Sequence, residues 1–167
     1  VLSRRQRQMC IRDRAGSLSN FFALKENEFV PNPKFIPSYK QEERNYIEAA
    51  NILKDSGVDL LILEMLLDIN HSEILLNAAL KTGLPVWVGL SCCESKFDNS
   101  IVGRNFRAEK EKSLIYDEEK YKEQPKFLPE DEIIQFEDII KTLTNIGGDV
   151  YGITVSYTHL RAHETEE

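Results

Sequence analysis

Glu64 stands directly after the apolar run Val58-Asp59-Leu60-Leu61-Ile62-Leu63. A carboxylate at the end of a buried segment is costly unless it is paired or solvated. It therefore forms a structural salt bridge, holds a cationic group such as a substrate ammonium, or works as a general base. Cys92 and Cys93 follow a second apolar run, Leu84-Pro85-Val86-Trp87-Val88-Gly89-Leu90-Ser91. Adjacent cysteines are poor chelators as a pair, because metal motifs place two or more residues between ligands. They read as half-buried thiols at a strand end, with one of them able to join distant ligands. His71 reads as a surface or capping residue early in a helix, and Trp87, in mid-strand, as core.

The elements that carry these residues alternate. Residues 15–24 (AGSLSNFFAL) read as a strand end running into a loop, and 25–38, with Pro31, Pro33 and Pro37, as loop. Tyr46, Ala49, Ala50 and Leu53 recur at helical steps and predict a helix over 41–56, stopped by Gly57. The run 58–63 predicts a strand covered on both faces. Asp68 or Asn70 caps a helix to about Lys81, with Ile74, Leu75, Ala78 and Ala79 inward. Residues 84–90 predict a second buried strand, with Pro85 tolerated at its start. The stretch 92–128 is long, polar and charge-rich, which predicts a functional or lid-like insertion whose charge run is a solvated surface rather than a site. Pro129-Glu130-Asp131-Glu132 opens a helix whose inner face carries Ile133, Phe136, Ile139, Ile140 and Leu143. Gly147-Gly148 ends it, and Asp149 to Ile153 starts a third strand.

Such βα alternation with near-continuous apolar strands means a parallel sheet. A closed (β/α)8 barrel and an open doubly wound sheet both satisfy it, and no GxGxxG or P-loop is present. In either architecture ligands meet the carboxyl ends of the strands. Three such ends are on offer: Gly16-Ser17, Glu64, and Ser91-Cys92-Cys93.

The 167 residues carry a formal charge of −7, with 41% hydrophobic and 29% charged residues. That is a globular composition. Its acidity argues against a nucleic-acid groove. No apolar stretch approaches the roughly 18–20 residues that span a bilayer, so no membrane partner is expected. Three cysteines form no disulfide framework, which points to a reducing, cytoplasmic setting.

The two ends read differently from the middle. The first fourteen residues hold five arginines. Gln8-Met9-Cys10-Ile11-Arg12-Asp13 can be written CAG-ATG-TGT-ATA-AGA-GAC, whose reverse complement encodes Val155-Ser156-Tyr157-Thr158-His159-Leu160. No folding constraint produces six residues antisense to another six. Inverted flanks are what ligated adapters leave when a short DNA fragment is translated through. Residues 1–14 and 154–167 are therefore expected to be adapter-derived, and 15–153 natural. The flanks hold six arginines and four acids, so the natural segment is expected to carry −9. Its termini then need not be domain boundaries.

At GVDLLILEM, TGLPVWVGLS and GGDVYGI, in that order, the chain resembles the homocysteine S-methyltransferase family. AGSLS resembles the family's third strand, GVDLLILE its fourth, LPVWVGLS its fifth and GGDVYGI the start of its sixth. YIEAANILKDSGVD resembles the helix that feeds the fourth. The likeness spans most of 15–153 apart from 92–128, which is longer than the family's usual segment. It implies an α/β fold, a partial (β/α)8 TIM barrel covering about strands three to six. It also implies a parent enzyme that moves a methyl group to homocysteine sulfur to give methionine. The expected partners are small molecules: homocysteine and a methyl donor (a sulfonium, a quaternary ammonium, or a corrinoid or folate carrier).

The family's zinc, held by three cysteine thiolates, lowers the thiol pKa and so supplies a nucleophile at neutral pH. Glu64 matches the carboxylate placed to bind the homocysteine amino group, and Gly16 and Ser17 match the end of strand three near the pocket. The first zinc cysteine follows the family's equivalent of Gly152-Ile153, where this chain has Thr154-Val155. The others belong to strand eight. Cys92 and Cys93 do not match them. The resemblance thus assigns zinc to the parent protein and expects the 167-residue chain to lack the ligands and be inactive, with sheet edges left unpaired and prone to association. The residues alone leave two other readings open: a metal-free α/β-barrel enzyme with Glu64 as base, and a non-catalytic small-ligand-binding α/β module.

Overall fold

The computed structural model describes residues 14–20, 35, 37–66, 68–95, 97–105 and 133–154. In chain order these form β1 (Ala15–Ser19), α1 (Tyr39–Asp55), β2 (Leu60–Leu66), α2 (Ile69–Leu80), β3 (Val86–Ser91), β4 (Cys93–Glu94), β5 (Ile101–Arg104), β6 (Ile133–Gln135), α3 (Phe136–Ile146) and β7 (Val150–Thr154). The main sheet has the order β1-β2-β3-β7, with every pair parallel. Each new strand is added on the same side of the last. An open doubly wound sheet reverses direction at a switch point, whereas a barrel wall does not. The fold is α/β, a four-stranded parallel sheet flanked by helices, as in part of a (β/α)8 barrel.

Helix α1 starts at Tyr39, two residues before the predicted start, because Ser38 adopts extended backbone and its Oγ accepts the Gln41 amide at 3.3 Å. Of the two candidate caps for α2, Asp68 is the one used. Its carboxylate accepts the amides of Asn70 at 3.0 Å and His71 at 3.3 Å. Gly57 and Gly83 end the first two helices with φ of +81° and +74°, the left-handed geometry a glycine adopts without strain.

The three helices among the described residues lie on one face. Helix α2 packs between α1 and α3, and a single core joins Ala50, Leu75, Leu76, Ala79, Ile139 and Leu143 to Leu61, Leu63, Val86 and Val88. Burying each of the larger side chains stabilises the fold by roughly 1.5–3 kcal/mol. The strands alternate, so their other residues point away. The row Ser17, Ile62, Trp87, Val150 crosses all four strands in register on the opposite face. There Trp87 is 42% exposed and Val150 45%. Among the described residues the strands are therefore covered on one face only, and Trp87, expected as core, is exposed. The apolar runs suited two-sided burial, but the helices supply only one cover.

Two further expectations change. The insertion, where the residues predict no elements, carries strands: β4 and β5 pair antiparallel within it, and β6 joins β5. Residues 106–132 lie outside the described residues. Ile133 belongs to β6 rather than to a helix face, and α3 begins at Phe136 with Glu137 and Asp138 in its first turn. The β-branched pair Ile133-Ile134 favours pairing over helix when a free strand edge stands beside it. Gly103 lets β5 lie close on α3, since a Cβ there would run into the Ile139 side chain.

Candidate functional site

Strand β2 ends irregularly. Its register with β3 shifts between Leu63 and Leu66, and Met65 takes φ 56°, a left-handed conformation rare for a side chain of this size. Bulges of this kind re-aim side chains. Glu64 stands inside this bulge, within β2 and not beyond it. It is exposed, and in register with Ser19 of β1. Strand alternation puts Glu64 on the uncovered face together with Ile62, Ser17 and Ser19. Gly16 points the other way. A Cβ there would meet Leu53 at 3.1 Å and Leu61 at 3.2 Å, so its missing side chain brings β1 close to α1. The structure thus unites Ser17 and Glu64 on one face and gives Gly16 a packing contact behind it. Ser19 was not singled out in the sequence. The i, i+2 pattern Ser17–Ser19 was its only signal.

A second polar group gathers nearby, on the helix side. Glu42 is 1% exposed and His71 4%. The Nδ1 of His71 lies 2.7 Å and 2.9 Å from the two carboxylate oxygens of Glu42, and the Tyr46 hydroxyl donates to the same carboxylate at 2.8 Å. Tyr39 meets the His71 ring edge-on at 5.3 Å. Burial first, and then the Glu42 charge, hold the Tyr46 hydroxyl well above its ordinary range. His71 is therefore neither a surface residue nor a cap. It is a buried partner that joins the first turns of two helices, which its polar neighbours in sequence did not reveal. Asn20 donates to Ser72 at 3.3 Å, and an isolated bridge links Asp68 to Arg104 at the end of β5. The small sheet β4-β5-β6 is docked in this way at the carboxyl ends of the main strands.

Cys92 packs against the core, and Cys93 opens β4. Burial, then the neighbouring Cys93, pushes the Cys92 thiol up to about 11, and burial raises Cys93 as well. Burial thus keeps both as thiols at neutral pH, which does not suit a nucleophile. Among the described residues no group of three His, Cys, Asp or Glu side chains could hold a metal ion. No helix among them is long and apolar enough to cross a membrane.

The family model described as homocysteine S-methyltransferase matches residues 2–113, two thirds of the chain. The chain belongs to the homocysteine S-methyltransferase family. No curated protein matches it. Within the family match fall β1 to β5, and so the whole of the Glu64 bulge and the Glu42–His71 pair. Membership supports methyl transfer with small-molecule substrates as the family's chemistry, carried on a parallel α/β scaffold whose strand ends face ligands.

Proposed function

We propose that this chain supplies the amino-acid-binding wall of a homocysteine S-methyltransferase pocket. Glu64 accepts hydrogen bonds from the substrate ammonium. Ser17 lines the same face, and Gly16 serves by letting β1 sit close on α1. The observation that carries this reading is the exposed carboxylate on a left-handed bulge, at the carboxyl end of a parallel strand and on the face the helices leave open. A charge-assisted hydrogen bond of this kind contributes about 1.5–3 kcal/mol. The reaction forms a bond between homocysteine sulfur and a methyl carbon and breaks that carbon's bond to the donor, giving methionine. The residues of this chain hold and orient the amino acid.

The described residues do not fit a zinc site, because two adjacent cysteines with no third ligand grouped beside them cannot supply a three-thiolate set. Zinc, if the parent protein uses it, is held by residues outside this set, and the chain alone is inactive. The antisense relation between residues 8–13 and 155–160 supports an adapter origin for 1–14 and 154–167, which leaves 15–153 as the piece of the parent. The two free neighbouring cysteines suit a reducing compartment, the cytoplasm.

The test is an NMR titration of the chain with L-homocysteine and with 4-mercaptobutyrate, which lacks the ammonium. The wild type should prefer homocysteine by about 10-fold or more, and E64Q should lose that preference. Equal preference in E64Q would remove Glu64 from the site.

A further inference from the structure

The first turn of α2 carries more ties than its own cap needs. Asp68 caps it by accepting the amides of Asn70 and His71. The side chains of the same turn then reach outward to other elements. Asn70 donates to Asn105, just past β5, at 3.2 Å, and Ser72 accepts from Asn20, just past β1, at 3.3 Å. Asp68 itself is bridged to Arg104 of β5. His71 meets both carboxylate oxygens of Glu42 on α1, at 2.7 Å and 2.9 Å, with the two side chains 4% and 1% exposed. Facing a carboxylate, Nδ1 carries the proton and donates, which makes this tie charge-assisted and directional. The turn begins four residues after Glu64. Between them lies the irregular end of β2, with Met65 at φ 56° and Leu66 buried in register with Leu90 of β3. A left-handed methionine is strained and relaxes unless the segments on both sides of it are fixed. The sheet fixes the segment before it, where Leu63 is in register with Val88. Leu66 and the start of α2 fix the segment after it.

We propose that the first turn of α2 holds this bulge in place, and that His71, through Glu42, is a positioning residue for Glu64. The inference rests on Glu64 as the acceptor of the substrate ammonium, and extends that reading from the residue that binds to the residue that aims it. His71 touches no substrate, because it lies on the helix side of the sheet and Glu64 on the open side. Its partner is itself anchored: the Tyr46 hydroxyl donates to the same Glu42 carboxylate at 2.8 Å. A turn pinned in this way cannot slide along α1. Without the pin the start of α2 shifts, Met65 relaxes out of the left-handed region, and Glu64 samples several directions. Binding then loses the advantage of a carboxylate already aimed. A pair that served the fold alone would lower stability and leave the choice of ligand untouched.

The experiment compares two replacements of His71 in the full chain. H71L keeps bulk and removes the donor, whereas H71N puts an amide nitrogen where Nδ1 stands. Two quantities are read by NMR: the preference for L-homocysteine over 4-mercaptobutyrate, and the strong cross-peak between the amide and α protons of Met65 that left-handed backbone gives. H71L should lower the preference by about threefold or more and weaken the Met65 cross-peak. H71N should restore both. An H71L chain that folds with preference and cross-peak unchanged would overturn the proposal, even if its unfolding midpoint falls. So would an H71N chain that folds but behaves as H71L does. Should H71L fail to fold, N70A decides, since Asn70 is only half-buried and ties the same turn to Asn105. It should shift both readouts in the same direction, and no shift in either would overturn the proposal. The two readings fail separately. If E64Q keeps the wild-type preference, Glu64 is not the ammonium acceptor, and the Met65 cross-peak in H71L still decides whether His71 holds the bulge. If E64Q loses the preference and H71L does not, Glu64 stands and His71 is removed from its support.

Discussion

Glu42 and Glu64 are glutamates on opposite sides of the same sheet. Glu42 lies in the seam between α1 and α2, 1% exposed, with His71 and Tyr46 on its two oxygens. Glu64 lies on the open face, on a backbone held in a left-handed bulge. Burial of a charge is tolerated only with partners in place, so Glu42 is tied to the fold. An exposed carboxylate aimed by a strained turn gains nothing for the fold from that strain. Strain of this kind is retained where function over-determines it. Partnered burial therefore separates a structural carboxylate from a ligand-binding one, although sequence alone makes Glu42 look like any solvent-facing residue of a charged helix.

The largest expected effect follows from that contrast. E42A strands His71 and Tyr46 in a dry seam and should cost about 3–5 kcal/mol in urea unfolding, as loss of one member of a buried pair does. E64A should leave the unfolding midpoint unchanged. If the two variants unfold alike, the distinction between the two carboxylates fails.

The two faces of the sheet can be separated in the same way. Leu63 is fully buried against the helices, and Trp87 is 42% exposed on the other side. L63A should cost about 3 kcal/mol, from transfer and cavity together. W87A should cost about 1 kcal/mol or less despite the greater volume removed, because much of the ring is already in water. Equal losses would mean that the open face is covered in solution.

The alternation of strands and helices was legible because it rests on local patterns. Helical spacing at Tyr46, Ala50 and Leu53, continuous apolar runs at 60–63 and 86–90, and glycine stops at Gly57 and Gly83 each act over a few residues. What failed to show depends on distant partners. Ile133-Ile134 became a strand because β5 offered an edge. His71 became buried because Glu42, 29 residues earlier, faces it. Trp87 looked like core because an apolar strand does not say how many covers it receives. Within the site, Glu64 was visible from its place after an apolar run. The bulge was not, since Met65 carries none of the glycine or asparagine signals of a left-handed residue.

The thiols add a pH-dependent contrast between buried and open groups. Burial lifts Cys92 from near 9 to about 11. The folded chain then keeps a proton that the unfolded chain loses above pH 9. The stabilisation is whole below that pH and falls as pH rises from about 9 to 11. Alkylation of Cys92 should accelerate near pH 11, whereas the unfolded chain should react from about pH 9. A rate that already plateaus by pH 8 would show a thiolate, and would mean that Cys92 is not buried in solution.

The smallest effect bears most directly on Glu64. At ordinary positions alanine is more stable than glycine by about 0.5–1 kcal/mol, because glycine loses more freedom on folding. At φ 56° the order reverses, since a Cβ in left-handed backbone costs roughly 1 kcal/mol and glycine escapes that cost. Both M65A and M65G remove the same half-buried side chain, so their difference cancels the packing loss and isolates the backbone. M65G should therefore be the more stable of the two by about 1 kcal/mol. It should also lose preference for homocysteine over 4-mercaptobutyrate, because a glycine bulge no longer holds Glu64 in one orientation. Should M65A prove more stable, Met65 is not left-handed in solution, and the carboxylate has lost the feature that aims it.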